Sequence, residues 1–580
     1  MGRKRRGLLT AGAVMFSVSL IAAGCGDSKE TSGGGSAATT TVKRPAECQT
    51  LSFADAPSGG ELTDYAQLAS GGDDTTFDPG AVQTLDESQV TTALYDGLTD
   101  YDFTDTCNPV LKPLVAEKFS PNADASVWTF TVKKGEKFAD GTPVLPSNFK
   151  KGWERAGSQK FASPYGYLIN YIKDGSKLQD GSVNDLPAIV ADDSAMTLTV
   201  TLESANADFG GIVSHPFFSP IANADLQKLG NEPAGWGDKG ATIGNGPFKF
   251  VSADAPDSGK VVIERNPNWG GNVYGDKKAT LDKIIFNITA DTATSYQAFE
   301  SGEGDTATLP SGKTAEAAAK YGNTTKSPQT GVYYFDFGFA DPVLGGEKNV
   351  KLREAISMAI DRNEINTKVY DGVRNLPTGI TPPGIPGFKA DLCDYCKTDK
   401  VAAKKAFDEW TAAGGKLTAP LKISFNSGGG HEGVVQIMQA NLKDVLGIDS
   451  ELNPIEKSYF REIAKEGACQ ICRSGWYADY PTYGNFMVDL FSKASIGGNN
   501  LGRNDDPKFE SIIADAQKET DATKRGELYN QAEQQILNNA VSVIPLNWYV
   551  GDQVFNKDKV VNFVDPPLGL YLWEKVGVKK

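Results

Sequence analysis

Histidine is almost missing from this 580-residue chain, in which His215 and His431 are the only two. Poly-histidine metal sites are thereby excluded, and a Ser-His-Asp or Cys-His arrangement has just two candidate bases. The motifs of covalent chemistry are missing too. Ser311-Gly312-Lys313-Thr314 has the ending of a phosphate loop, but Ala307 stands where the first glycine is required. His431-Glu432 is followed by Gly433-Val434-Val435 without a second zinc histidine, and no G-x-S-x-G elbow occurs. Carboxylates are plentiful, yet none pairs with a partner at a spacing that singles it out. The expectation is a protein with no catalytic residue, no metal and no cofactor.

What is present begins with an export signal. Arg3, Lys4, Arg5 and Arg6 precede an apolar, small-residue stretch from Gly7 to Gly24, and Cys25 follows Ala22-Ala23-Gly24. Residues 1–24 therefore read as a signal peptide rather than a structural helix. Ala-Ala-Gly-Cys resembles a bacterial lipobox, which implies lipidation of Cys25; Ala22 departs from the usual Leu. Arg5-Arg6-Gly7-Leu8-Leu9 also resembles a twin-arginine signal, so both export routes stay open. Residues 25–47 are rich in Ser, Thr, Gly and Ala without apolar periodicity, the composition of a flexible tether. Such a tether reaches on the order of 25 Å. Removing the four signal cations takes the net charge from −15 to −19, which argues against nucleic acid as a partner.

With Cys25 set aside, six cysteines remain: Cys48, Cys107, Cys393, Cys396, Cys469 and Cys472. An even remainder in an exported chain suggests disulfides. Cys48 would pair with Cys107, while the two C-x-x-C pairs either close locally or cross-link to each other. A four-thiolate zinc site is the alternative, set back by the 72 residues that separate Cys396 from Cys469.

At 40% hydrophobic and 23% charged residues the chain is neither disordered nor fibrous, and its length calls for two or three lobes. Val127-Trp128-Thr129-Phe130-Thr131-Val132 alternates as a half-buried strand entering a hairpin at Gly135 to Pro143. Lys260 to Glu264 and Asp282 to Thr289 read as further strands. Helical periodicity runs over 349–365, 399–413, 433–445 and 521–537, with Asp521 as an N-cap. Interleaved strands and helices over this length indicate an α/β architecture.

An ordered series of motifs then carries a resemblance. It runs from Thr76-Phe77-Asp78-Pro79 through Leu94-Tyr95-Asp96-Gly97-Leu98, Phe138-Ala139-Asp140-Gly141-Thr142-Pro143-Val144 and Gly244-Asn245-Gly246-Pro247-Phe248. It continues with Arg265-Asn266-Pro267, Leu352-Arg353-Glu354-Ala355, Ala359-Ile360-Asp361-Arg362, Gly475-Trp476-Tyr477-Ala478-Asp479-Tyr480-Pro481 and Ile544-Pro545-Leu546. In this order the set resembles the family 5 extracellular solute-binding proteins, the oligopeptide- and dipeptide-binding receptors of ABC importers. Most of these motifs also read as scaffold: Asp140 to Pro143 and Gly244 to Pro247 as turns, and Asp361 as a cap or brace.

The resemblance implies a two-lobed α/β fold of the type II periplasmic-binding class, with an extra domain in the N-terminal lobe. Residues 48–93, 221–330 and 545–580 would form lobe I, 94–220 the extra domain and 331–544 lobe II. Crossovers would fall near Gly331 to Phe337 and Val541 to Tyr549. The lobes would close on ligand as a hinge. Asp479 occupies the position of the carboxylate that holds a peptide's α-ammonium. Trp476 would give an apolar or cation-π wall, and Tyr165 in Ala162-Ser163-Pro164-Tyr165 a ring against the peptide. Arg473 matches an arginine that in relatives meets the carboxylate end of short peptides, with surface solvation as its alternative. Extended backbone would put it roughly 20 Å from Asp479. Gln83 to Leu85 fall where relatives pair backbone with peptide by strand addition. The implied role is a monomeric lipoprotein on the outer face of the bacterial membrane. It would deliver oligopeptides to ABC permease and ATPase subunits. A dipeptide, sugar, opine or metal chelate is the nearest alternative ligand, and a lipoprotein hydrolase or signalling receptor the alternative class.

Overall fold

Three sheets, each lined by its own apolar cluster, carry the architecture among the described residues. In this computed structural model these are residues 49–66, 76–82, 84–235, 242–254, 259–289, 291–310, 312–322, 328–427, 430–456, 458–551 and 553–579, all within one compact unit, Arg44–Lys580. Residues 1–24, Cys25, the whole of the tether and Cys48 lie outside them.

The first sheet has six strands. Glu61–Ala66 runs parallel to Lys283–Ile288 and Thr306–Thr308, with Lys260–Arg265, Phe248–Ala253 and Gln553–Phe555 antiparallel at its flanks. Gly246, in the turn before Phe248, donates its N–H to the Leu94 carbonyl at 2.8 Å, close enough that a side chain there would strike backbone.

A second sheet of four antiparallel strands holds Ala116–Pro121, Val127–Val132, Thr197–Thr201 and Ile189–Asp192. Trp128, Phe130 and Val132 point into its core while their neighbours are more exposed, as strict alternation requires. The expected hairpin at Gly135 to Pro143 does not pair this strand. That turn closes on itself through Phe138 N–H to the Thr142 carbonyl, and Val127–Val132 takes its partners from 116–121 and 197–201.

The third sheet is ordered Ser450–Ile455, Leu421–Asn426, Ile471–Tyr477, Pro328–Phe337 and Val543–Val550. Every residue of Pro328–Phe337 is buried, because helices cover both faces. On one side Tyr333 and Phe335 pack with the helices Val350–Ala359, Lys400–Ala412 and Glu432–Leu446. On the other, Val332 and Tyr334 meet Tyr483–Phe491, Pro507–Lys518 and Ala522–Gln534. The two crossover candidates are thus adjacent antiparallel strands.

Two helices differ from the periodicity. The 349–365 stretch breaks at Ile360, and Asp361 caps a second helix, Arg362–Val369, by accepting the Glu364 N–H at 3.0 Å. The break is tertiary in origin: Asn441 Oδ1 takes the Asp361 N–H at 2.7 Å. Asp521 caps its helix as expected, but after Gln534 the chain winds into a π-helical turn, Gln535–Asn539.

Candidate functional site

Asp479 lies just past the central strand Ile471–Tyr477, between the third sheet and the region around the second. Two neighbours fix its backbone. The Ala478 N–H donates to the Thr330 carbonyl at 2.8 Å, and the Asp479 N–H to Asn485 Oδ1 at 3.0 Å. Asn485 stands on the helix Tyr483–Phe491 and returns its Nδ2 to Asp479 Oδ2 at 3.2 Å, while its Oδ1 also accepts the Trp476 indole N–H at 2.8 Å. Trp476 and Asp479 are therefore oriented by one amide.

The other wall arrives from far away in sequence. The Tyr167 hydroxyl donates to Asp479 Oδ2 at 3.3 Å, and the Tyr165 hydroxyl also contacts this carboxylate. The Tyr165 ring lies 4.5 Å from the His215 ring. His215 Nδ1 accepts the Phe217 N–H at 3.1 Å, which leaves Nε2 to carry the proton, 4.0 Å from Asp479 Oδ1. Burial lowers the His215 pKa to about 3, so this ring is neutral.

The Asp479 side chain is 7% exposed. Burial, reinforced by the nearby Asp489 carboxylate, raises its pKa from 3.8 to about 7 against the opposing hydrogen bonds. Asp489 is itself raised to about 6 by burial, and it accepts from Tyr171 at 2.6 Å, from Asn485 at 2.9 Å and from Tyr480. Among the described residues Asp479 has donors on several sides and only a neutral imidazole within ion-pair range. A ligand cation would complete it.

The sequence-expected residues divide. Asp479, Trp476 and Tyr165 come together here; Arg473 does not. It points to the opposite face of the sheet from Trp476, with its guanidinium 5.1 Å from the Tyr333 ring centre and 5.9 Å from Phe460. Its surroundings are aromatic, and its Nε is buried without a hydrogen-bond partner. The extended edge expected at Leu85 is corrected. Leu85 is the first residue of the helix Leu85–Leu94, held by Thr84 as N-cap in a capping box with Glu87, so it cannot pair with a peptide as a strand. Gln83 lies outside the described residues. Sequence reasoning missed Tyr167, Asn485 and His215 in this site; only the i+6 spacing from Asp479 to Asn485 is local enough to have signalled one of them.

A groove of about 600 Å³ opens elsewhere, lined by Tyr101, Asp208, Phe388, Tyr483, Arg525 and Tyr529 among others. Asp208 and Arg525 form an ion pair there at 3.0 Å, with side chains 13% and 18% exposed.

Both C-x-x-C pairs close locally, Cys393 with Cys396 and Cys469 with Cys472, so the cross-linked alternative is not adopted. Cys107 is also disulfide-bonded; its expected partner, Cys48, is outside the described residues. Among the described residues no cluster of His, Cys, Asp or Glu is arranged to hold a metal ion.

Comparison with known proteins bears on the family and the fold. The model for bacterial extracellular solute-binding proteins, family 5 Middle, matches residues 110–498. The periplasmic oligopeptide-binding protein OppA of Escherichia coli is 28% identical over 513 residues, covering 86% of this chain and 90% of its own. The oligopeptide-binding protein OppA of Bacillus subtilis is 29% identical over 447 residues, covering 75% and 79%. Among solved structures, clavulanic acid biosynthesis oligopeptide binding protein 2 superposes with a TM-score of 0.75 at 21% identity, covering 93% of this chain and 100% of that one. The Escherichia coli murein tripeptide binding protein MppA gives 0.73 at 23% identity, covering 91% and 100%. These likenesses establish the two-lobed type II α/β fold, and the family match, spanning well over half of the sequence, means that the chain belongs to the bacterial extracellular solute-binding proteins, family 5.

Proposed function

We propose that this protein captures oligopeptides between its lobes and presents them to an ABC permease. The α-ammonium of the peptide sits on Asp479, Trp476 and Tyr165 flank its first residues, and Arg473 serves its far end. The observation that carries this reading is the Asp479 carboxyl: buried, ringed by hydrogen-bond donors, and without a cationic partner among the described residues. A primary ammonium satisfies it through charge-assisted hydrogen bonds. The oligopeptide-binding names of the relatives point the same way. Residues 48–93, 221–330 and 545–580 act as one lobe with 94–220 as its extra domain. They close against 331–544 about the strands Pro328–Phe337 and Val543–Val550. The protein works by binding and not by covalent chemistry. It is held at the outer face of the membrane by lipid on Cys25, and it docks as a monomer on the permease and ATPase assembly.

Mass spectrometry of small molecules released from the purified protein tests the proposal. Intact peptides with free amino termini are expected, together with a peptide-dependent rise in thermal midpoint. Recovery of a sugar, opine or chelate instead, or hydrolysis of added peptide, defeats it.

A further inference from the structure

The face of the third sheet that carries Arg473 also carries a second guanidinium. Arg374 reaches it from the loop after Arg362–Val369, with its guanidinium 5.3 Å from the ring centres of both Tyr370 and Tyr549. One nitrogen, Nη1, donates to the Val550 carbonyl at 3.1 Å, while Nε is buried and unpartnered, as is the Nε of Arg473. Among the described residues no carboxylate pairs with either arginine. What surrounds them is phenolic. Tyr333 lies under Arg473, Tyr549 stands 6.5 Å from Tyr333, and the hydroxyls of Tyr370 and Tyr549 both feel the two arginines. Gly475 makes the room: a Cβ there would come within 2.6 Å of the Tyr549 hydroxyl and 3.3 Å of Arg473 Nη2.

On the same strand pair lies Asn547, the cross-strand partner of Tyr333, 2% exposed; the Tyr370 hydroxyl is beside its side chain, and neither amide atom makes a hydrogen bond of good geometry. Buried polar atoms left unpaired are costly, and two guanidiniums sharing one wall without an acid are more so. His431 adds no charge: its Nδ1 pairs with the Tyr333 hydroxyl at 3.0 Å, and burial, aided by Arg473, lowers its pKa to about 3. One carboxylate neutralises one guanidinium, so a ligand bringing a single α-carboxylate leaves the second arginine unanswered.

We propose that Arg374, Arg473 and Asn547 form a two-cation subsite that selects peptides ending in an acidic residue. One guanidinium takes the α-carboxylate and the other the side-chain carboxylate, while the Asn547 amide bridges them. This rests on the peptide reading above, and it adds a preference that an isolated Arg473 cannot supply.

Calorimetry on the full chain tests it with alanine peptides of three to six residues and the same lengths ending in glutamate. At the preferred length the glutamate peptide is expected to bind at least about tenfold more tightly. Arg374→Gln should erase that preference by weakening the glutamate peptide about tenfold more than the alanine peptide, and Arg374→Lys should retain part of it. Equal affinity of wild type for the two series overturns the inference while leaving peptide capture intact. Equal weakening of both series by Arg374→Gln also overturns it, since that is the mark of a packing role. If wild type binds no peptide of either series, the peptide reading falls and this one with it. The wild-type comparison decides even where a variant does not fold.

Discussion

Asn485 grips Asp479 twice, accepting its backbone N–H at 3.0 Å and donating to its carboxylate at 3.2 Å. The carboxylate is thereby aimed before any ligand arrives, so little ordering remains to be done on binding. Replacing Asp479 by Ala should weaken peptides with a free amino terminus by about 2–3 kcal/mol, the range of a hydrogen bond to a charged group. Asn485→Ala keeps the charge and loses the aim, and a loss of about 1 kcal/mol is expected. Titration calorimetry with one peptide and its N-acetylated form reads both. The acetylated peptide should bind wild type and Asp479→Ala alike; a difference there would place the ammonium elsewhere.

Proton linkage gives affinity and stability opposite slopes. Burial raises Asp479 to about 7, and also Asp336 to about 8 and Asp64 and Asp100 to about 7. Each of these groups stays protonated in the folded chain at a pH where the unfolded chain has released its proton. The stability they confer is full below their unfolded values and is lost as pH rises through about 7 to 8. Conformational stability should therefore rise as pH falls from 8 to 6.5. Below 6.5 the two buried neutral histidines, with pKa values lowered to about 3, begin to oppose the gain. Peptide affinity should move the other way. The ammonium requires the Asp479 carboxylate, so the dissociation constant should climb toward about tenfold per unit once pH drops below about 7. Denaturant melts and calorimetry at matched pH values measure the two slopes, and a shared sign would refute the assignment of the affinity slope to Asp479.

Legibility followed locality. Val127–Val132 announced itself because alternation is a property of neighbours, and the crossover strands did so as apolar, aromatic-rich stretches, which suits strands covered on both faces. The break at Ile360 was hidden because Ile continues a helix well enough; it is Asn441, from another helix, that takes the Asp361 N–H. Leu85 differs for the opposite reason: Thr84 and Glu87 spell a capping box in plain sequence, and that local signal, not the offset implied by the resemblance, sets the backbone there. In the site, Asp479 and Trp476 were visible as part of a motif. Tyr167 meets Asp479 across 312 residues and Tyr171 meets Asp489 across 318, and no local pattern encodes such a meeting.

The Cys469–Cys472 disulfide stands immediately before Arg473, on the strand that leads to Trp476 and Asp479. It closes a very short loop, so the chain-entropy contribution is small, about 2 kcal/mol. Joint replacement of both cysteines by alanine should lower stability by about that amount and raise peptide dissociation only a few-fold, since Asp479 keeps its grip from Asn485. Urea melts with peptide off-rates distinguish this from a structural collapse. The same replacement at Cys393 and Cys396, in the loop region before Lys400–Ala412, should cost similar stability and leave the off-rate unchanged.

Arg525 and Asp208 pair at 3.0 Å beside the 600 Å³ groove, and the proposed division of the chain puts them on opposite lobes, away from Asp479 and Arg473. Asp208 belongs to the segment that follows the second sheet, Arg525 to the helix Ala522–Gln534 of the third-sheet region, and the Ala207 N–H donates to the Gln517 carbonyl at 3.0 Å on the same seam. If the lobes open as proposed, the pair separates and both ions return to water, so its contribution would belong to the closed form. Truncating one partner leaves the other charge partly buried and unpaired, a larger loss than the pair's own net attraction. Arg525→Ala should therefore speed peptide release on the order of tenfold, while association, which starts from open lobes, changes little. Because the pair touches neither end of the peptide, the effect should be the same for free and N-acetylated peptides and for any C-terminal residue. Stopped-flow release of a fluorescent peptide measures it. An effect that depended on the peptide's ends would mean that Arg525 acts through the Asp479 or Arg473 sites and not as a latch between lobes.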